Sequence, residues 1–335
     1  MVLTDVTALV SCPCRGLSDS VNVDGLSTCT EQGLARVASG QSDDELGGTS
    51  KENPAMRTIG VVTCALVIAS TLHVPASAQV LDFTTIDVPG ASATLPRDIN
   101  SEGDIVGFYG VGAAFPNGFL IHQGIVTDFV VPGAVATRPR AINPQGDIVG
   151  FYVAGGVTHG FLFVEGSFTT IDVPGATSTQ PFGINPQGDI VGQYSAGGTL
   201  HGFLLDKHGS LTTIEVPGAS STGLFGINPR GDIVGQYSAG GTTHGFLLDK
   251  HGNLTTIDFP GASSTQPIDI NPRGDIVGMY SVGGITHGFL LDTAGSFMSI
   301  DVPGASSTAA SGINPQGDIV GTYSVGGITH GFLAR

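Results

Sequence analysis

An all-β ring of repeated four-stranded units is the architecture this sequence predicts, and three observations predict it. The pair Ile-Asn recurs at Asn100, Asn143, Asn185, Asn228, Asn271 and Asn314, a spacing of 43 residues with one step of 42. A fixed period of this length marks an array of small supersecondary units, none able to bury its apolar face alone. No helix-period stretch interrupts the repeats, which Gly, Ser, Thr and Val dominate. The ends are permuted: the array opens with an orphan Thr84-Thr85-Ile86-Asp87 and stops after Gly331-Phe332-Leu333, lacking that same segment. The first strand, Thr84 to Val88, therefore supplies what the last unit lacks and closes a ring.

The unit at 218–258 shows each element in turn. Phe225-Gly226-Ile227-Asn228 is a short apolar run ended by Pro229-Arg230-Gly231. Asn-Pro-x-Gly fits a type I turn, with Pro fixing φ at the second position and Gly at the fourth. Asp232 to Tyr237 follows as a second strand, its Ile and Val suited to a sheet covered on both faces. A Ser-Ala-Gly-Gly loop leads to His244-Gly245-Phe246-Leu247-Leu248, and Asp249-Lys250-His251-Gly252 turns into Leu254 to Phe259. Four short antiparallel strands every 43 residues match the blade of a β-propeller, and six copies predict a six-bladed one. A solenoid would need end caps in place of the shared strand.

The first 78 residues are different in kind. From Met56, Arg57 gives a positive start, Ile59 to Val74 an apolar stretch and Ala76-Ser77-Ala78 a cleavage site before Gln79. That is the pattern of a secretory signal peptide. The stretch is shorter than the roughly 20 residues needed to span a bilayer. Residues 1–55 are polar and unpatterned, as in a disordered segment or one that is not translated, with Met56 the true initiator. The expected organisation is 1–55 extension, 56–78 signal peptide and 79–335 propeller. The mature chain has no membrane span and is destined for the periplasm or the exterior.

All four cysteines (Cys12, Cys14, Cys29, Cys64) precede Gln79, so no disulfide staples the repeats. The net charge of −16 disfavours nucleic acid and anionic membrane surfaces as partners.

The residues that every copy shares read as scaffold. Asp104, Asp147, Asp189, Asp232, Asp275 and Asp318 invite a calcium site, but calcium wants six to eight oxygens and each turn offers one Asp. Capping the turn is their expected role. His159, His201, His244, His287 and His330, with Asn117 in the first copy, invite zinc. Ligands must lie about 2 Å from one ion, whereas equivalent positions on packed sheets are about 10 Å apart. A hydrogen bond anchoring the strand is expected of them instead. Tyr109, Tyr152, Tyr194, Tyr237, Tyr280 and Tyr323 are expected to pack between blades. The chain has no GxSxG, HExxH, phosphate loop or dinucleotide fingerprint, so no cofactor, metal or catalytic residue is assigned.

The core IN-x-x-G-D-I-V-G-x-Y…H-G-F-L resembles the HAF repeat of secreted bacterial proteins, named for a His-Ala-Phe triplet. The resemblance covers residues 84–333. The chain departs from it by carrying Gly for the middle Ala in every copy, and Asn117-Gly118-Phe119 in the first. The resemblance implies an extracellular or periplasmic propeller-like repeat protein and no established activity.

Specificity belongs where the copies differ. The position three before each repeated Asn reads Arg97, Arg140, Phe182, Phe225, Ile268, Ser311, and the next adds Asp98 and Asp269. These positions enter the innermost strand of each blade and line the axial opening, basic on one side and aromatic beside it. Phe faces stack on sugar rings and Arg clamps carboxylates. Arg97, Asp98, Arg140, Phe182, Phe225 and Asp269 are thus candidate ligand-binding residues. The structural alternative is that the phenylalanines plug the channel and Arg97 pairs with Asp98. The leading functional expectation is a secreted non-enzymatic binding module for a glycan, envelope polymer or other cell-envelope component. The others are a polysaccharide hydrolase or lyase acting at the same opening, and a structural surface protein.

Overall fold

The computed structural model describes residues 81–112 and 114–335; the expected signal peptide and the 1–55 extension lie outside them. The described residues form 24 strands and no helix. A lone strand, β1 (Phe83–Ile86), precedes a series of four-stranded antiparallel meanders. The first is β2 (Ala93–Ile99), β3 (Ile105–Val111), β4 (Ala114–His122) and β5 (Ile125–Phe129). The second is β6 (Ala136–Ile142), β7 (Ile148–Ala154), β8 (Val157–Val164) and β9 (Ser167–Ile171). Next come β10 (Ser178–Ile184), β11 (Ile190–Ala196), β12 (Thr199–Leu205) and β13 (Leu211–Ile214). They are followed by β14 (Ser221–Ile227), β15 (Ile233–Ala239), β16 (Thr242–Leu248) and β17 (Leu254–Ile257). Then run β18 (Ser264–Ile270), β19 (Ile276–Val282), β20 (Ile285–Leu291) and β21 (Phe297–Ile300). The series ends with β22 (Ser307–Ile313), β23 (Ile319–Val325) and β24 (Ile328–Ala334).

The last meander has only three strands of its own, and β1 completes it antiparallel to β24, pairing Phe83 with Ala334 and Ile86 with Gly331. The closing strand is Phe83–Ile86 rather than Thr84–Val88. Asp87 and Val88 already belong to the following turn, where Asp87 bonds His330 at 2.9 Å and the Val88 amide bonds Thr94 Oγ1.

A second difference concerns the sheets. In place of separate four-stranded sheets, the hydrogen bonds define two sheets of four strands and two of eight. Each large sheet joins two meanders through a single parallel pair, Thr158 with Ser178 or Thr243 with Ser264. The inner strands also begin earlier than the apolar run suggests. Ser221 and Thr222 already pair with β15, because Thr222 Oγ1 accepts the Val216 amide and folds the Pro-Gly-Ala loop back onto the strand.

The core lies between meanders. The Phe of each His-Gly-Phe or Asn-Gly-Phe (Phe119, Phe161, Phe203, Phe246, Phe289, Phe332) is fully buried. Each burial contributes about 1.5–3 kcal/mol. Space for the ring comes from the second Gly of Gly-Asp-Ile-Val-Gly: a Cβ on Gly107 would lie 2.7 Å from the Phe119 ring. Clusters then knit across the units; Val320 of β23 is buried with Ile99, Ile105 and Phe119. The inner strands β2, β6, β10, β14, β18 and β22 pack each against the next, and β22 against β2. No helix among the described residues is long and apolar enough to cross a membrane.

Candidate functional site: the axial cavity

Every inner strand carries the same irregularity. In β2, Pro96 pairs with Gly107 and Asp98 with Val106, leaving Arg97 as an extra, unpaired residue. The same shift leaves Arg140, Phe182, Phe225, Ile268 and Ser311 unpaired in the other inner strands. A β-bulge re-aims side chains that would otherwise alternate between faces. Consecutive residues such as Arg97 and Asp98 can therefore both line one axial cavity of about 210 Å³. All six predicted site residues come together there: Arg97, Asp98, Arg140, Phe182, Phe225 and Asp269. A smaller recess of about 70 Å³ lies at the Asn-Pro turn end, and Asp98 and Asp269 border both spaces.

The cationic side is larger than the sequence suggested. Arg138, two residues before Arg140, joins Arg97 and Arg140 over the ring of Phe108, at 5.4, 4.8 and 5.3 Å. Arg140 also lies 4.9 Å from Phe151 and 5.0 Å from Phe182. The Nε atoms of all three arginines are buried without a hydrogen-bond partner. Burial and the Arg138 charge bring the Arg97 guanidinium down to about 10, and burial with Arg97 and Arg138 holds Arg140 well below the usual range. Phe182 and Phe225 meet edge to face at 5.3 Å on the adjoining wall. Arg138 carries the signal of alternation, since a residue two before Arg140 on a strand shares its direction. Phe108 and Phe151 carry another: each occupies the one variable position in Gly-Asp-Ile-Val-Gly-x-Tyr.

The acids do something else. Asp98 accepts the amides of Ile99 (2.7 Å) and Ile142 (2.8 Å); Asp269 accepts those of Ile270 (2.8 Å) and Ile313 (2.9 Å). No ion pair among the described residues joins Arg97 to Asp98. Burial, then the charge of Asp269, raises the Asp98 carboxyl well above its ordinary range, and burial pushes Asp269 up to about 6. The amide bonds pull the other way without prevailing.

The repeated residues lie elsewhere. The turn Asn, for example Asn228, accepts the Arg230 and Asp232 amides on Oδ1 and donates Nδ2 to Asp232. The following Gly231 takes φ of +85°, which only glycine adopts without strain. Each repeated His bonds a carboxylate at the end of the fourth strand: His159 to Asp172, His201 to Glu215, His244 to Asp258, His287 to Asp301 and His330 to Asp87. The tyrosines pack between meanders as expected, for example Tyr152 against Val106 and Phe129 of the preceding one and Tyr280 stacked on Phe259 at 3.6 Å, and they make a second set of contacts within their own meander. They stack on the His of their own meander at 5.1–5.3 Å, and Tyr152 and Tyr194 bond Thr170 and Thr213. In the first meander, Asn117 donates to Tyr109 Oη, which donates to Asp128. Among the described residues no group of His, Cys, Asp and Glu could hold a metal ion.

No family model matches this chain, and no curated protein matches it. Solved structures do. TolB from Acinetobacter baumannii is similar at 14% identity and a TM-score of 0.52, over 72% of this chain and 63% of that one. A TolB-like protein from Agrobacterium tumefaciens is similar at 13% identity and a TM-score of 0.52, over 65% and 87%. A virginiamycin B lyase from Staphylococcus aureus aligns at 13% identity and a TM-score of 0.49, over 76% and 100%. At such identities the likeness to the two TolB structures is one of fold alone: an all-β, propeller-like arrangement of repeated sheets.

Proposed function

We propose that the chain is a six-bladed β-propeller that acts as a secreted, non-enzymatic binding module, with the axial cavity as its ligand site. The closed cycle of contacts among β2, β6, β10, β14, β18 and β22 supports the blade count. The single observation that carries the site is the concentration of blade-to-blade differences in that cavity. Two arginines, Arg97 and Arg140, and two phenylalanines interrupt the symmetry there, with Arg138 on the same Phe108 ring beside them, while the turns and the His-carboxylate pairs repeat. Identical units cannot discriminate a ligand; the positions that break identity can. The HAF resemblance and the Arg57–Ala78 pattern support secretion, and a glycan or cell-envelope component is the partner this reading expects.

The raised carboxyls of Asp98 and Asp269 favour one second reading, a polysaccharide hydrolase or lyase, because glycoside chemistry uses an acid held above its ordinary pKa. Binding comes first, because both carboxylates are engaged by two backbone amides each.

The test is a glycan array probed with residues 79–335 and with Ile268→Trp, which fills the cavity. Binding by the parent that falls at least tenfold in a folded Ile268→Trp protein supports the axial site. Equal binding by both proteins places the site elsewhere. Turnover of any bound polysaccharide, lost on Asp269→Asn, would replace the module by the enzyme.

A further inference from the structure

We propose that Arg97, Arg138 and Arg140 together grip an oxyanion carried on the end of the ligand, a terminal carboxylate, phosphate or sulfate. The inference rests on the axial cavity being the ligand site and names the chemistry that enters it.

Three guanidinium groups share the Phe108 ring, so their charges crowd together; Arg97 and Arg140 line the cavity itself, and Arg138 adds its charge from beside them. Burying a charge without a partner costs several kcal/mol, and like charges nearby add to that. Stacking on an aromatic face returns only about 0.5–2 kcal/mol per pair. The chain holds candidate counter-ions close by and does not use them. Asp98 adjoins Arg97 in sequence and Asp269 lines the same cavity, yet the amides of Ile99, Ile142, Ile270 and Ile313 take their oxygens. No ion pair among the described residues involves Arg97, Arg138 or Arg140. Their buried Nε atoms keep unused donors. A planar fork of donors fits the paired oxygens of a carboxylate, phosphate or sulfate better than any neutral group. The molecule has thus assembled a positive site and left its counter-charge to come from outside.

The cavity also limits how that charge arrives. At the Asn-Pro turn end, where Asp98 and Asp269 tie neighbouring strands together, lies a smaller space of about 70 Å³. Ile99, Ile142, Ile184, Ile227, Ile270 and Ile313 form a ring there, all buried. A polymer ligand in this reading presents an end to the cavity. The edge-to-face pair Phe182–Phe225 and Ile268 offer apolar surface to the ring or alkyl group that bears the anion.

Thermal melts of the protein at constant ionic strength provide the test, with sodium sulfate, sodium phosphate, sodium galacturonate and neutral galactose as probes. At least one oxyanion should raise Tm by several degrees, saturating below about 10 mM, whereas galactose leaves it unchanged. Arg97→Gln/Arg138→Gln/Arg140→Gln should abolish the saturable response while raising Tm in chloride alone, because the mutual repulsion is gone. Arg138→Gln alone should weaken the response at least tenfold, which keeps the test sharp should the triple variant fail to fold. Arg230→Gln, outside the cavity, should respond like the parent. Galacturonate acting more strongly than sulfate and phosphate identifies an acidic sugar terminus; the reverse order identifies a phosphate or sulfate ester. Polygalacturonate, nearly all of whose carboxylates are internal, should be at least tenfold weaker per carboxylate than the monomer.

No saturable response in the parent, or an equal one in the triple variant, overturns the oxyanion site. Equal potency of polymer and monomer overturns end-on entry. The cavity reading fails separately, when Ile268→Trp retains the parent's response in full.

Discussion

The carboxylate of Asp98 accepts the amide of Ile142 at 2.8 Å, and 171 residues further on Asp269 repeats the bond to Ile313 at 2.9 Å. Each acid stitches its inner strand to the next one around the axis. Both carboxyls are raised in the folded protein by burial, Asp98 also by the charge of Asp269. The folded state therefore binds protons that the unfolded chain, with an Asp near 3.9, has released. Stability must fall as pH rises from about 4 through 6, where Asp269 titrates, and the raised Asp98 carboxyl adds to the fall in the same direction. For Asp269 alone the shift amounts to roughly 3 kcal/mol. Urea denaturation at pH 4.5 and 7.5 should show this slope in the parent and a shallower one in Asp98→Asn/Asp269→Asn. Equal slopes would show that these two acids do not set it.

The glycine that separates this repeat from a His-Ala-Phe triplet has a steric cause. A Cβ on Gly160 would lie 2.6 Å from Cδ of Pro181 in the next inner strand, and one on Gly118 would meet Pro139 at the same distance. Where Ala310 replaces the proline, a Cβ on Gly288 finds its nearest atom at 3.0 Å. Gly160→Ala should cost about 1–3 kcal/mol, the range for overpacking, and Gly288→Ala clearly less. Adding Pro181→Ala should recover part of the Gly160→Ala loss in a double-mutant cycle. Equal costs at the two glycines would remove the proline from the explanation.

Scaffold and site should separate by readout. Asp232 accepts Asn228 Nδ2 and Arg230 Nε, each at 2.9 Å, and the Lys250 amide at 3.2 Å. Asp232→Ala should lower stability by about 1–2 kcal/mol and leave oxyanion affinity within a factor of two. His244→Ala, which breaks a half-exposed pair with Asp258, should cost less than 1 kcal/mol. Loss of ligand response in a folded Asp232→Ala protein would move the site into the shared repeats.

Much of this molecule was legible because a repeat states its scaffold many times over. The period, the strand order and the partnership of Thr84 to Ile86 with the last unit all follow from aligning the copies. Asp98 illustrates what did not follow. A bulge is a matter of backbone register, invisible in side-chain patterning, and it lets Asp98 turn toward the amide of Ile142 instead of pairing with Arg97. Arg138, Phe108 and Phe151 were missed for a related reason. Phe108 meets Arg97, and Phe151 meets Arg138, across the inner and second strands of one unit, where the register decides the contact, and Arg138 reaches the Phe108 ring of the preceding unit only when adjacent inner strands pack.

The join between β1 and β24 is where the ring can be opened. Four residue pairs link the strands, from Phe83–Ala334 to Ile86–Gly331. Beyond them, Asp82 and Arg335 exchange both backbone bonds, at 3.0 and 3.1 Å. Side chains reinforce the join: Thr85 bonds Tyr323 at 2.8 Å, Asp87 bonds His330 at 2.9 Å, and Phe83 meets Phe332 edge to face at 5.6 Å. Removing Gln79 to Val88 deletes all of these and exposes the fully buried Phe332 along with the edge of β24. An unpaired edge and an uncovered core in one unit weaken its contacts with both neighbours, so cooperativity around the ring should fail. The truncated chain should unfold over a broad range, with a Tm lower by ten degrees or more. A synthetic peptide of residues 79–90 added in excess should restore part of the transition, because it can bind only the folded edge. A truncated protein that melts as sharply and at the same temperature as the parent would show that β1 decorates the ring without closing it.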